Sequence, residues 1–331
     1  RGTSLLMDQG KRYRIWAAAI ALGVAVFLLT ACSAVLPELG AAPDTPFYTV
    51  RDSLGREVVL DRQPQRIVLL TASFVNMMHA VGGDFVAWAN SPSDEGAAYA
   101  QGKKTVGYTY QVDMEALLAE KPDLVIGLPG LHNRLQTTLE ENRIPFLLLS
   151  LSRFADVKRA VTILADVSGR KEAGQAVITE MERDMEATAA NVPQTAYRFA
   201  VIHGTAQSVT IECEGSIACD TAERLGLKNA FGDLRPPEGG FHLPFSMEQL
   251  VERDPDILFL TTMVMPGKEQ EAFKDNLMGH PSWRALKAVR EGRVYFLPQK
   301  YFLTSPGVEY PKALQFMAQQ LYPEQGLKGE G

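Results

Sequence analysis

The stretch D-M-E-A-L-L-A-E-K-P-D-L-V-I-G at residues 113–127 returns at residues 246–260 as S-M-E-Q-L-V-E-R-D-P-D-I-L-F-L. Met, Glu, Leu, Pro and Asp recur in one register, with Met114 answered by Met247. Each copy opens on a residue that caps a helix, Asp113 or Ser246, and Gln249 stands where it completes an S-x-x-Q capping box. Pro122 and Pro255 stop the helix, because proline lacks the N–H and pushes the residue before it out of the α region. A short continuous apolar run follows, 123–126 or 256–260, of the kind buried on both faces of a parallel sheet. A helix-then-strand unit used twice predicts two lobes of similar build.

The flanking sequence extends this pattern in both directions. Residues 47–71 read F-Y-T-V-R-D-S-L-G-R-E-V-V-L-D-R-Q-P-Q-R-I-V-L-L-T, two alternating strands about Ser53, Leu54 and Gly55, then a buried strand over 66–70. A helix over 74–81, a strand over 85–89, a helix over 131–142 and a strand over 146–149 continue the alternation that implies a parallel α/β sheet. Helices over 155–167 and 171–190 come next, the second with Ala173, Ala176, Val177, Met181 and Met185 on one stripe. At 1.5 Å per residue, about 20 residues span ~30 Å, enough to lie across both lobes and restrict their closure. Beyond it, strands are expected over 197–203, 209–213 and 293–297, and helices over 220–225, 269–277 and 310–321. The expected class is therefore α/β: two Rossmann-like lobes with parallel-type sheets, 47–168 and 194–331, joined by a long α-helix within 169–193, with a ligand cleft between them.

With 46% hydrophobic and 22% charged residues, the 331-residue chain has enough apolar content for two such domains. Residues 1–31 hold four basic residues and one acidic one, so the formal charge of −6 moves to −9 without them. No basic stripe is visible, which argues against a nucleic-acid partner. Lys11, Arg12 and Arg14 precede an uncharged apolar run at 15–29, shorter than the ~20 residues of a membrane span, so 1–31 reads as a signal peptide. It ends Leu29-Thr30-Ala31-Cys32, which resembles the lipobox of bacterial lipoproteins and implies acylation of Cys32, with 32–46 as a lipidated tether. Cys213 and Cys219 can close a small disulfide loop in an exported protein; the alternatives are thiols or soft metal ligands.

Enzyme signatures are scarce. There is no phosphate loop, no H-E-x-x-H, no G-x-S-x-G and no Gly-rich dinucleotide turn. His79, His132, His203, His242 and His280 show no metal-ligand spacing. The chain is not expected to be an enzyme or to carry a catalytic cofactor.

The lipobox, the R-I-V-L-L strand, V-G at 106–107 and the paired [DS]-M-E-x-L-x-x-x-x-P-D units resemble the substrate-binding lipoproteins of ABC importers for iron complexes and cobalamin, over about residues 47–323. That resemblance implies an extracytoplasmic monomer, anchored by lipid to the outer face of the cell membrane or on the periplasmic side, that serves an ABC permease and its ATPase. It implies that Glu115 and Glu248, one per lobe, dock onto arginines of the permease; both also sit where a helix macrodipole favours a negative charge. It places the ligand among loops 71–75, 107–112, 128–134, 203–208, 235–244, 261–265 and 301–305, at the carboxyl ends of the sheets.

The segment V-G-Y-T-Y-Q-V-D-M-E resembles the haem-binding branch, which makes Tyr108 or Tyr110 the expected axial ligand; a tyrosinate suits ferric haem. From the second lobe, Met263 or His242 is the candidate second ligand, with His132 a competitor in the first. Arg134 or Arg235 could pair with propionates or siderophore carboxylates. The transported ligand is expected to be haem or another iron chelate, with a ferric siderophore or cobalamin as alternatives on the same fold. Different-class alternatives are a metallocluster or chelatase-like enzyme and a lipoprotein sensor or adhesin without transport.

Overall fold

Asp52 turns the first hairpin, its Oδ1 accepting the Leu54 and Arg56 N–H groups at 2.9 Å, so that β1 (Tyr48–Arg51) pairs antiparallel with β2 (Glu57–Leu60). The structure, a computed structural model, describes residues 45–90, 96–205, 207–236, 240, 242–263 and 269–325. The expected signal peptide, Cys32 and nearly all of the tether lie outside the described residues. Among those described, no helix is long and apolar enough to cross a membrane.

The first sheet comprises β3 (Ile67–Leu69), β4 (Ala87–Asn90), β5 (Lys104–Tyr108), β6 (Gln111–Val112), β7 (Leu124–Gly127) and β8 (Phe146–Leu148). Its order is β6-β5-β4-β3-β7-β8, parallel throughout except for the β5–β6 hairpin. The chain leaves β3 in one direction and returns on its other side at β7, which makes a switch point between the carboxyl ends of those two strands. The helices of this part are α1 (Ala72–Ala80), α2 (Met114–Ala119) and α3 (Gln136–Glu141). Two longer helices, α4 (Phe154–Val167) and α5 (Lys171–Ala190), then carry the chain across.

The second sheet holds β9 (Arg198–Gly204), β10 (Val209–Glu212), β11 (Lys228–Asn229), β12 (His242–Pro244), β13 (Ile257–Thr262) and β14 (Val294–Phe296). Its path is β12-β10-β9-β13-β14, with β11 also paired to β9. Here the structure departs from a purely parallel type: β10 runs antiparallel to both β9 and β12. The cause is the connection, since residues 205–208 can close only a hairpin, whereas a parallel crossover needs a dozen or more residues. Helices α6 (Ile217–Arg224) and α7 (Met247–Arg253) follow β10 and β12. The helix expected at 220–225 starts earlier because Ser216 caps it, Oγ accepting the Cys219 N–H at 3.1 Å.

The repeated stretch folds the same way twice. Asp113 caps α2 and Ser246 caps α7, accepting from Ala116 and Gln249 N–H at 3.0 and 3.3 Å. Each unit ends on a left-handed residue before its proline, Lys121 at φ 48° and Asp254 at φ 34°. The aspartate after each proline anchors the neighbouring strand: Asp123 accepts from Arg66 N–H at 2.7 Å and Asp256 from Arg198 N–H at 2.8 Å. Those two arginines reach back to the helix ends, at Glu120 O (2.7 Å) and Arg253 O (2.9 Å). The P-D pair thus ties helix, turn and adjacent strand together in both halves.

Successive side chains of each central strand enter cores on opposite faces of the sheet, both buried, which explains the unbroken apolar runs. In β3, Ile67 and Leu69 join one core and Val68 another; in β13, Ile257 and Phe259 join that first core while Leu258 and Leu260 face a third. The shared core runs from the first sheet through α4, α5 and the helix Tyr310–Leu321 to the second sheet. Tyr310 closes one seam of it by donating to Asp220 at 2.7 Å, the same carboxylate that accepts the Phe154 N–H at 3.2 Å.

Cys213 and Cys219 are both buried and are not joined in a disulfide, contrary to the loop expected from their spacing. The Ser216 cap starts α6 between them and turns Cys219 into the core, where Sγ lies 3.7 Å from Glu212 O and 3.6 Å from Asn229 Nδ2. Burial raises the pKa of both thiols, which favours the protonated form.

Candidate functional site

At the switch point of the first sheet, β3 runs through Thr71 into α1, and Thr71 Oγ1 caps the helix by accepting the Phe74 N–H at 3.4 Å. The first turn of α1 therefore presents Ala72 and Ser73 to a cleft of about 280 Å³, whose first-lobe wall also includes Leu128 and Leu131 after β7. Met263, just beyond β13, and residues 303–305 line it from the second lobe. Ser305, from the second lobe, is tied to the first: Ser73 Oγ donates to Ser305 O at 2.7 Å, and Ser305 Oγ donates to Leu151 O at 3.3 Å. Among the described residues, five of the seven loops expected at the cleft line it, and none from 203–208 or 235–244 does.

Tyr110 reaches this cleft from the β5–β6 hairpin. Tyr108 pairs with Gln111, so Thr109 and Tyr110 form a two-residue turn at the tip. The turn is sharp because Gly107 has φ +88°, and a Cβ there would lie 2.6 Å from Gln111 O and 2.9 Å from Asp113 N. Arg134 donates from Nη2 to Tyr110 O at 2.7 Å, steadying the tip. Tyr110 is 48% exposed and Met263 53%, large side chains from the two lobes left open on one cavity. Tyr108 is exposed at the end of β5 and does not line the cleft.

His132 has a different task from the ligand role expected of it. It is fully buried, Nδ1 accepts the Leu128 N–H at 2.9 Å, and Nε2 donates to Thr109 O at 2.9 Å. Both ring nitrogens are therefore committed to backbone, and the acceptor role of Nδ1 places the proton on Nε2. Burial, with the charge of Arg134 adding to it, lowers the pKa and keeps the ring neutral. The side chain ties two cleft loops together and has no nitrogen to offer a ligand.

The remaining candidates separate. His242 lies on β12, half-buried beside His203 and Glu212, and does not line the cleft. Arg235 donates to Gly232 O and pairs with Glu214 at 3.5 Å, also away from it. Glu115 and Glu248 occupy the second position of α2 and α7, both exposed, with no ion-pair partner among the described residues. Ser73 and Thr304 were not singled out by the sequence, although hydroxyls flanking a helix start are a signal for polar ligand contacts. The lining residues carry no ionised side chain among those described, so the cleft offers hydroxyls, one phenol, one thioether and aliphatic surface.

The sequence of residues 67–301 matches the family model described as Periplasmic binding protein. The chain belongs to the periplasmic binding protein family. Among related members, the "Fe(3+)-citrate-binding protein YfmC" of Bacillus subtilis (strain 168) is 24% identical over 252 residues, 74% of this chain and 76% of the relative. The "Probable siderophore-binding lipoprotein YfiY" of the same organism is 24% identical over 298 residues, 86% of this chain and 91% of the relative. The solved structure of an ABC transporter substrate-binding protein from Listeria monocytogenes EGD-e superposes with a TM-score of 0.71 at 22% identity, covering 80% of this chain and all of that one. IsdE of S. aureus complexed with heme superposes at 0.66 and 18% identity, covering 78% and 98%. These two likenesses establish the family's two-lobed fold in this member.

Proposed function

We propose that this periplasmic binding protein is the extracytoplasmic substrate-binding lipoprotein of an ABC importer, and that it captures an iron complex in the cleft between residues 47–168 and 194–331. Residues 1–31 act as the signal peptide, Cys32 carries the lipid and 32–46 form the tether. Haem is the favoured complex, and the observation that carries it is that Tyr110 of the first lobe and Met263 of the second line one cavity with no ionised side chain among its described lining residues. A phenol oxygen and a thioether from the two lobes suit the two axial positions of haem iron, and the aliphatic lining suits a flat macrocycle. The protein performs no covalent step in this reading. Closure on the ligand is small, because the shared core and α5 bind the two halves together.

Titrating haemin into the purified protein while recording the Soret band tests this directly. A saturable shift is expected, lost in Tyr110→Ala and weakened in Met263→Ala. The printed names of the relatives favour a second reading, a ferric siderophore or ferric citrate held without a bond from protein to iron. If haemin gives no saturable shift while ferric citrate or a ferric siderophore quenches the intrinsic fluorescence, that second reading replaces the first. Silence with all of these ligands would overturn the iron-complex assignment.

Delivery is proposed to use Glu115 and Glu248, exposed at the start of matching helices in the two halves. Two carboxylates in equivalent places suit a permease surface with a matching arginine on each side. Replacing both by Ala is expected to reduce uptake about tenfold, an effect on encounter of the kind rim charges exert. Ligand binding in solution should stay unchanged. Undiminished uptake in the double variant would remove the docking role.

A further inference from the structure

Three strands at the β12 edge of the second sheet turn two imidazoles and a carboxylate onto one face. β9 opposes His203 to Thr210 on β10, and β10 opposes Glu212 to His242 on β12. Thr210 and Glu212 are two residues apart and so project to the same side, and directly opposed residues of a ladder do likewise. His203, Glu212 and His242 therefore converge, with one donor atom from each within 4.8 Å of the other two. No local motif announces them, because the sheet pairing alone assembles the set.

The hydrogen bonding around the triad leaves donors facing inward. Thr261, opposite His203 on β13, donates Oγ1–H to Glu212 Oε1 at 2.6 Å and stands 3.0 Å from His203 Nδ1. A hydroxyl has one proton, so Thr261 accepts from Nδ1–H, and the lone pair of His203 rests on Nε2. Glu212 is 1% exposed, yet its Oε2 makes no hydrogen bond of full geometry among the described residues, the Ser216 hydroxyl giving it only weak support. No described Lys or Arg pairs with it; the neutral ring of His203 lies nearby, with Nδ1 at 3.8 Å. A buried carboxylate with an unfilled lone pair is costly, and a cation bound there would relieve that cost.

We propose that His203, Glu212 and His242 bind a divalent first-row transition-metal ion of the Zn²⁺ type, clasping β9, β10 and β12 together. Two imidazoles and one carboxylate are a recognised donor set for such ions and leave at least one position for water. Thr261 supplies the supporting hydrogen bond that orients His203, as metal-binding histidines require. Ligand bonds of about 2.0–2.2 Å draw the three donors inward from their present spacing by side-chain rotation. None of the three is among the described residues that line the cleft. Its structural effect falls on the edge strand β12, three residues long and paired on one side only.

The test uses the purified full chain, stripped with a chelator and dialysed against ZnCl₂ with no iron complex present. One equivalent of zinc by elemental analysis, a melting temperature that rises with zinc concentration, and visible ligand-field bands with Co²⁺ are expected. His203→Gln, His242→Gln and Glu212→Gln should each lose saturable binding while keeping the far-ultraviolet dichroism of the parent. Thr261→Val should weaken binding about 10–100-fold. Absence of bound zinc in the parent chain, or full retention in the His203→Gln/His242→Gln double variant, overturns the proposal. Either failure leaves the cleft reading standing, because haemin and zinc binding are read separately.

Discussion

His132→Ala should destabilise the protein by about 3 kcal/mol and loosen the cleft before any ligand is added. The substitution removes two hydrogen bonds at a fully buried position and strands the Leu128 N–H and the Thr109 carbonyl. Each buried group left unsatisfied costs about 1–3 kcal/mol. Because Thr109 immediately precedes Tyr110 in the hairpin tip, the affinity for the cleft ligand should fall as well. Chemical denaturation reads the first effect, and haemin or ferric-citrate titration the second. Stability within about 0.5 kcal/mol of the parent would show that the histidine does not tie these loops together.

The same residue predicts a pH dependence. Its folded-state pKa is depressed, chiefly by burial, below the ~6.5 of an unfolded histidine. Above about pH 6.5 neither state is protonated and the contribution is complete; as pH falls below that value the unfolded chain takes up the proton first, and stability declines until the folded pKa is reached. The parent should therefore lose more stability than His132→Ala between pH 7.5 and pH 5. Other histidines are present in both proteins and largely cancel in the difference.

Gly107→Ala should cost about 3 kcal/mol or more. The backbone sits at φ +88°, a conformation that costs an L residue about 1–3 kcal/mol. The new methyl would also meet Gln111 O at 2.6 Å and Asp113 N at 2.9 Å, backbone atoms that no side-chain rotation can move aside. Gly102 provides the comparison: its φ is +75°, but a Cβ there meets nothing within 4 Å. Gly102→Ala should therefore lose only the backbone term, about 1 kcal/mol. Melting temperatures of the two variants, compared at about 2–4 °C per kcal/mol, separate clash from strain. Equal shifts would mean that β6 and the start of α2 can retreat from Gly107.

Much of the fold was legible because its signals are local. A cap, a short helix, a proline and an apolar run lie within fifteen residues, and the chain repeats them, so the two halves and their central strands follow from sequence. The loops around the cleft were legible too, since ligands collect where strands of open α/β sheets end, and Tyr110 and Met263 lie on those loops. The antiparallel turn of β10 could have been read from the four residues that separate it from β9. The reach of His132 could not: its partners are backbone atoms 4 and 23 positions away, and nothing in a lone histidine distinguishes a pinned ring from a free one.

Local chemistry thus determined which segments become helices and strands, that they form two halves of one design, and which loops face each other. Tertiary structure alone decided what those loops do with their side chains. It buried His132 between two backbone partners, left Cys213 and Cys219 buried without a disulfide, and assembled His203, Glu212 and His242 from three strands with no common spacing. The physical reason is range: capping and periodicity act over a few residues, whereas hydrogen-bond commitment and metal-donor convergence depend on strand register, which is set by the packing of the whole sheet.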